Sequence, residues 1–84
     1  MNYYLLIIPS AQKELGDLPI VFYERAKAAI FRLASEPGPR GSRKLSGRPG
    51  WRIRVGNYRI VYEIDNSAHS VTVLHVGHRR DVYR

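Results

Sequence analysis

Seven basic side chains, Arg40, Arg43, Lys44, Arg48, Arg52, Arg54 and Arg59, fall between Pro37 and Tyr62, a stretch with no acidic residue. The 84-residue chain carries 14 Lys and Arg against 7 Asp and Glu, a formal charge of +7. Outside this stretch the charges balance, so the whole excess sits in one segment. A guanidinium stays protonated and binds phosphate through two parallel hydrogen bonds, so a concentrated arginine field suits a polyanionic ligand. Solubility alone requires neither the clustering nor the choice of arginine over lysine. His75 and His78 add imidazoles, a side-chain type that serves as acid, base or metal ligand. Residues three apart on a strand point to opposite faces, so these two are not expected to share a metal. Without cysteine the chain lacks thiol catalysis, disulfides and the usual structural zinc sets, and no metal or cofactor is expected.

The elements that must position these groups can be read from periodicity. A chain of 84 residues is expected to form a single domain over 1–84 with a small core. Tyr3 to Ile8 is a short apolar, aromatic and β-branched run stopped by Pro9, which reads as a strand covered on both faces. It is far short of the roughly 20 apolar residues that span a bilayer, so no membrane segment is expected. No positive residue precedes it and no small-residue cleavage site follows, so a secretory leader is not expected either. With no cysteine, the chain fits a reducing compartment, and a cytoplasmic location is expected. Ser10 is placed to cap a short helix over Ala11 to Leu15, ended by Gly16 and Asp17. Pro19 suits the first turn of a second helix running to about Ser35, with Phe22, Ala26, Ala29, Ile30 and Leu33 forming one core-facing stripe. Residues 37–50 hold three Pro and four Gly and read as a basic loop.

Two alternating runs follow. Trp51, Ile53 and Val55 face one way and Arg52 and Arg54 the other; Tyr58, Ile60, Tyr62 and Ile64 repeat the pattern with Arg59, Val61 and Glu63 opposite. Gly56-Asn57 can supply the positive φ of a two-residue hairpin turn. That register sets Arg54 directly across from Arg59, with Arg52 one pair away. Like charges facing across strands are destabilising, so a small core is not expected to carry this pair unless the face binds an anion. A last strand, Ser70 to Val76, follows a turn at Asp65-Asn66-Ser67-Ala68, and either of its faces is apolar enough for the core. The predicted fold is α+β in the order β-α-α-β-β-β, a small antiparallel sheet with a two-helix layer on its apolar face.

Lys44-Leu45-Ser46-Gly47, the hairpin Trp51-Arg52-Ile53-Arg54-Val55-Gly56-Asn57-Tyr58-Arg59-Ile60-Val61-Tyr62, and the ending Val76-Gly77-His78-Arg79-Arg80-Asp81-Val82-Tyr83 together resemble the RelE/ParE superfamily of bacterial toxins. The likeness covers nearly the full chain and implies the RelE-like fold that periodicity gives independently. For the RelE branch it implies cleavage of messenger RNA inside the ribosome and silencing by a co-expressed antitoxin; for the ParE branch, poisoning of DNA gyrase without the nuclease residues. RelE-type cleavage uses an arginine after the last strand and a tyrosine near the C-terminus, which Arg79 and Tyr83 match. Arg52 and Arg54 match the basic positions before the hairpin turn, and Arg59 the arginine after it. The resemblance therefore favours the RelE branch, with Arg52, Arg54, Arg59, Arg79 and Tyr83 as the catalytic set and Arg40, Arg43, Lys44, Arg48 and Arg80 as contacts to RNA or ribosome.

Metal-free RNA cleavage requires the 2′-hydroxyl to attack the adjacent phosphorus in line while the 5′-oxygen leaves. Charge accumulating on the phosphorane needs fixed cations, a role suited to Arg59 with Arg79 beside it. Tyr83 offers a ring for stacking a splayed base and a hydroxyl for a proton; as a plain anchor it would instead pack on the sheet. If Arg79 shares the face of Arg59, alternation puts Val71, Val73 and His75 there too and leaves Leu74 and Val76 in the core. Where some RelE proteins carry lysines before the turn, this chain has Arg52 and Arg54, which cannot act as bases. Lys44, Tyr83, His75 and His78 remain as candidates, and the base is open. The expected partners are an acidic cognate antitoxin, the ribosome and mRNA, with operator DNA met only through the antitoxin complex. A catalytically inactive relative that binds antitoxin and nucleic acid is the remaining alternative.

Overall fold

The computed structural model describes residues 2–78. The chain runs β1 (Tyr4–Ile7), α1 (Pro9–Gly16), α2 (Ile20–Ser35), β2 (Arg43–Lys44), β3 (Trp51–Val55), β4 (Tyr58–Asp65) and β5 (Ser70–His78). The two helices pack on one face of a five-stranded sheet ordered β1-β5-β4-β3-β2. The α+β architecture is the one expected, with two additions to the sheet. The helix pair carries the chain back, so β1 enters beside β5 in parallel, Tyr4 opposite Ser70 and Ile7 opposite Val73, making the sheet mixed. Within the basic loop, Arg43 and Lys44 pair with Arg52 and Trp51 as a two-residue edge strand.

Edge position changes what β1 buries. Leu5 and Ile7 pack toward the helices, whereas Tyr4 and Leu6 are 74% and 54% exposed, so the strand is covered on one face and not on both. The start of α1 also differs from expectation. Pro9, with its φ preset, opens the helix after Ile8, and Ser10 lies inside the first turn without a side-chain cap. The amphipathic reading of α2 holds: Ala26, Ile30 and Leu33 are buried, meeting Ile53, Ile60, Tyr62, Val71, Val73 and Val76 in the main core.

The β3–β4 hairpin has the expected register, with Val55 opposite Tyr58, Arg54 opposite Arg59, Ile53 opposite Ile60 and Trp51 opposite Tyr62. Only Gly56 takes positive φ (60°) in the turn, the pattern of a type II′ connection. A side chain there would meet Phe22 as well, since a Cβ would lie 2.6 Å from Phe22 Cε1. The β4–β5 turn is held by Asp65, whose Oδ1 accepts from the Ala68 N–H (3.0 Å) and the Ser67 hydroxyl (2.8 Å). These donors, the Ala68 amide first, hold the Asp65 carboxyl below its ordinary range.

Strand β5 follows neither simple alternation. A β-bulge lies at Val61/Tyr62: Tyr62 pairs with Val73, Val61 with His75, and Leu74 is the extra residue. Val71 and Val73 therefore face the core, contrary to the expectation that they share the face of Arg59, and the phase resets so that Val76 is also buried there. Leu74 packs on the opposite face with Leu45 and Val61, in a second small cluster.

Candidate nucleic-acid interface

The face of the sheet away from the helices holds the arginines. Alternation along β3 puts Arg52 and Arg54 there, and the hairpin register brings Arg59 across from Arg54. The short strand β2 adds a further facing pair, Arg43 opposite Arg52. Arg52 and Arg59 are only 8% and 9% exposed, while Arg54 is exposed. Burying a guanidinium removes hydration that neighbouring groups must replace, so this is a costly arrangement for a domain with a small core.

Loop 37–50 is tied down in a way that delivers its arginines. The buried Tyr62 hydroxyl donates to Pro37 O at 2.7 Å, the Ser42 amide bonds Pro39 O at 3.0 Å, and the Leu45 amide bonds Gly50 O at 3.0 Å. Burial pushes the Tyr62 phenol above its ordinary value, partly offset by a hydrogen bond from Ser42. The result is a groove of about 500 Å³ lined by Arg40, Gly41, Arg43, Arg52, Ile53 and Arg54, with no carboxylate in its wall. It adjoins a hollow of about 190 Å³ that shares Arg40, Ile53 and Arg54 and adds Arg32 and Glu36 from the end of α2. A further notch joins Arg54 to Arg59 beside the hairpin turn. Arg54 therefore lines all of these spaces.

Of the basic residues marked from sequence, Arg40, Arg43, Arg52, Arg54 and Arg59 come together. Lys44 does not join them: it pairs with Trp51 and lines a separate groove of about 630 Å³ with Glu63 and Asp65. That groove is the larger, but its mixed charge makes it a poorer anion site than the arginine groove. Arg48 is exposed in the loop and lines neither groove. Arg79, Arg80 and Tyr83 lie outside the described residues. Arg32 was not marked from sequence, because only the packing of α2 against loop and hairpin brings it to the groove.

Two histidines are placed by the sheet. His75 pairs with Val61 and so lies on the arginine face, as expected. His78 pairs with Tyr58 on the helix side, its ring edge-on to Tyr58 at 6.0 Å between centroids. His75 Nδ1 lies 3.9 Å from Glu14 Oε1 of α1. The same carboxylate oxygen accepts the Val76 amide at 3.0 Å.

Two helices on a mixed sheet whose opposite face presents arginines define a RelE-like toxin fold. Comparison with known proteins agrees. The profile of the family described as ParE toxin of type II toxin-antitoxin system, parDE, matches residues 5–83. Toxin RelG of Mycobacterium tuberculosis is 34% identical over 92 residues, covering 100% of this chain and 99% of the relative. The RelE-RelB complex of Pyrococcus horikoshii OT3 aligns with a TM-score of 0.83 at 28% identity, covering 98% of this chain and 100% of that one. Isolated E. coli RelE toxin aligns with a TM-score of 0.79 at 29% identity, covering 96% and 90%. The chain belongs to the RelE/ParE family of type II toxin–antitoxin toxins. Among its described residues no helix is long and apolar enough to cross a membrane.

Proposed function

We propose that this toxin is a metal-independent endoribonuclease that cleaves mRNA on the ribosome and thereby stops translation in the cytoplasm. The observation that carries the reading is the grouping of Arg52, Arg54 and Arg59 on one sheet face beside an arginine-lined groove. The 2′-oxygen attacks phosphorus, the P–O5′ bond breaks, and charge on the phosphorane oxygens is met by guanidinium groups already fixed in place. Arg59, buried and bridged to Arg54 by the hairpin, contacts those oxygens; Arg52 and Arg54 hold the flanking phosphates. Arg40 and Arg43 extend the track along the groove, with Lys44, Arg48 and Arg80 as outer contacts to RNA or ribosome. Arg79 and Tyr83 complete the catalytic set by resemblance, Arg79 near the phosphorane and Tyr83 stacking a base. Effective positioning is worth many orders of magnitude in such a reaction, and the ribosome supplies it by holding the mRNA.

The partner follows from charge. An acidic antitoxin laid across Arg52, Arg54 and Arg59 blocks the anionic substrate by competition, and operator DNA is met only through that complex. Relatives solved as RelE-RelB complexes, from P. horikoshii and from E. coli, support an antitoxin partner. The test is end mapping of mRNA on programmed ribosomes with wild type and Arg59→Ala, where loss of one preorganised cation lowers cleavage by about 10²–10³-fold. A second reading is favoured by the description of the matching family profile as ParE toxin: a gyrase poison that grips its target through the same basic face. Gyrase-linked DNA breaks without mRNA cleavage select it.

A further inference from the structure

The arginines described on this face cannot act as bases themselves, because guanidinium stays protonated. The three histidines of the chain are not equivalent once the sheet is formed. His69 sits in the β4–β5 turn, stacked on Tyr3 at 4.1 Å, and β5 runs its length between that turn and the Gly77 that faces Arg59. His78 turns to the helix side against Tyr58. His75 alone shares the face of Arg59: it pairs with Val61, two residues along β4 from Arg59, a diagonal spacing of about 7–8 Å that two long side chains bridge. The bulge at Leu74 produces this placement, since it lets His75 face outward while Val73 and Val76 both face in.

Glu14 is fixed where it can orient that ring. Strand β1 ends at Ile7, and the Ile8 amide makes the last backbone bond to Val73 O, at 3.2 Å. Beyond it, Glu14 Oε1 takes the Val76 amide in place of a strand neighbour, at 3.0 Å, and lies 3.9 Å from His75 Nδ1. That distance is electrostatic contact rather than a hydrogen bond, the looser geometry usual at catalytic contacts before substrate binds. A carboxylate facing Nδ1 favours the tautomer with its proton there and leaves Nε2 as the acceptor. The His75 ring is half-exposed (49%), open to a ligand on the sheet face.

We propose that His75 is the general base of the cleavage step and that Glu14 positions it, an inference that rests on the nuclease reading above. The 2′-hydroxyl proton passes to His75 Nε2 as the O2′–P bond forms. The P–O5′ bond breaks with its electron pair on O5′, which takes a proton from water, and the resulting hydroxide removes the proton from the imidazolium. The products are a 2′,3′-cyclic phosphate and a 5′-hydroxyl. Among the described residues, the charged groups facing His75 are Glu14 from α1 and Arg59 from β4.

The test is single-turnover mRNA cleavage on programmed ribosomes between pH 5.5 and 8.5. Wild type gains about tenfold in rate per pH unit on the acid side and then levels off as the imidazole becomes neutral. His75→Gln loses about 10²–10⁴-fold and the acid limb with it, while its melting temperature stays close to wild type. Free imidazole restores part of the rate to His75→Ala, which a structural role does not allow. Glu14→Gln keeps an acceptor for the Val76 amide but removes the carboxylate that holds the Nδ1 proton. Its maximal single-turnover rate therefore falls by at least about tenfold with the half-saturating toxin concentration unchanged, and Glu14→Asp restores part of that rate. A His75→Gln variant that retains the wild-type limb, whatever its rate, overturns the base assignment and leaves the nuclease reading standing. A wild-type maximal rate in Glu14→Gln overturns the positioning role. No cleavage by wild type at any pH overturns the assignment together with the nuclease reading.

Discussion

At the scale of single residues, Tyr62 links the core to the basic loop. It is fully buried, and its hydroxyl donates to Pro37 O, so the loop carrying Arg40 and Arg43 hangs from a core side chain. Tyr62→Phe leaves that carbonyl unpaired and is expected to cost about 1 kcal/mol at neutral pH, measured by denaturant unfolding. The phenol also makes stability pH-dependent. Burial raises its folded-state pKa above the ordinary value of 10.0, so the unfolded chain releases its proton first. The contribution is complete below pH 10.0 and is lost as pH rises through the folded value. In the Phe variant this component of the alkaline loss disappears. The aromatic alternation of β4 already placed Tyr62 in the core; its bond to Pro37 was not legible, because nothing local says which loop carbonyl arrives above it.

At the scale of elements, local signals and long-range ones fared differently. The β3–β4 hairpin was legible to the residue, since two runs of alternating side chains and a Gly-Asn turn leave one register that buries the apolar set. Gly56 carries two constraints at once, positive φ and contact with Phe22, so Gly56→Ala is expected to cost about 1–3 kcal/mol. A fall of roughly 5–15 °C in melting temperature checks this; an unchanged value contradicts the II′ turn packed on α2. Strand β5 was not legible, because a single inserted residue resets the alternation and only the partner strand shows where. The exposure of Tyr4 and Leu6 on β1 follows from edge position, which belongs to topology and not to composition. Strand β2 is two residues long, too short for any periodic pattern, yet it supplies the Arg43–Arg52 pair.

At the scale of the whole molecule, charge and fold are segregated in the same way. The helix layer and the core side of the sheet bury apolar residues, and the net charge lies in the loop and hairpin, whose Arg40, Arg43, Arg52, Arg54 and Arg59 gather on and beside the opposite face. In the proposed charge competition, an acidic antitoxin is the counter-surface to that face. Replacing Arg52 and Arg54 together with alanine is expected to weaken antitoxin binding by at least about tenfold and to flatten its dependence on salt. Calorimetric titration at several ionic strengths checks this, and binding indifferent to both changes contradicts the charge-competition account.

The central claim, that the arginine face cuts mRNA held by the ribosome, is tested most directly by primer extension on the same mRNA, naked and on programmed ribosomes. Wild type is expected to cut at the decoding site in the ribosomal sample alone, with Arg59→Ala and Arg79→Ala losing those ends. Intact mRNA in both samples, from a chain that still arrests growth, contradicts the claim.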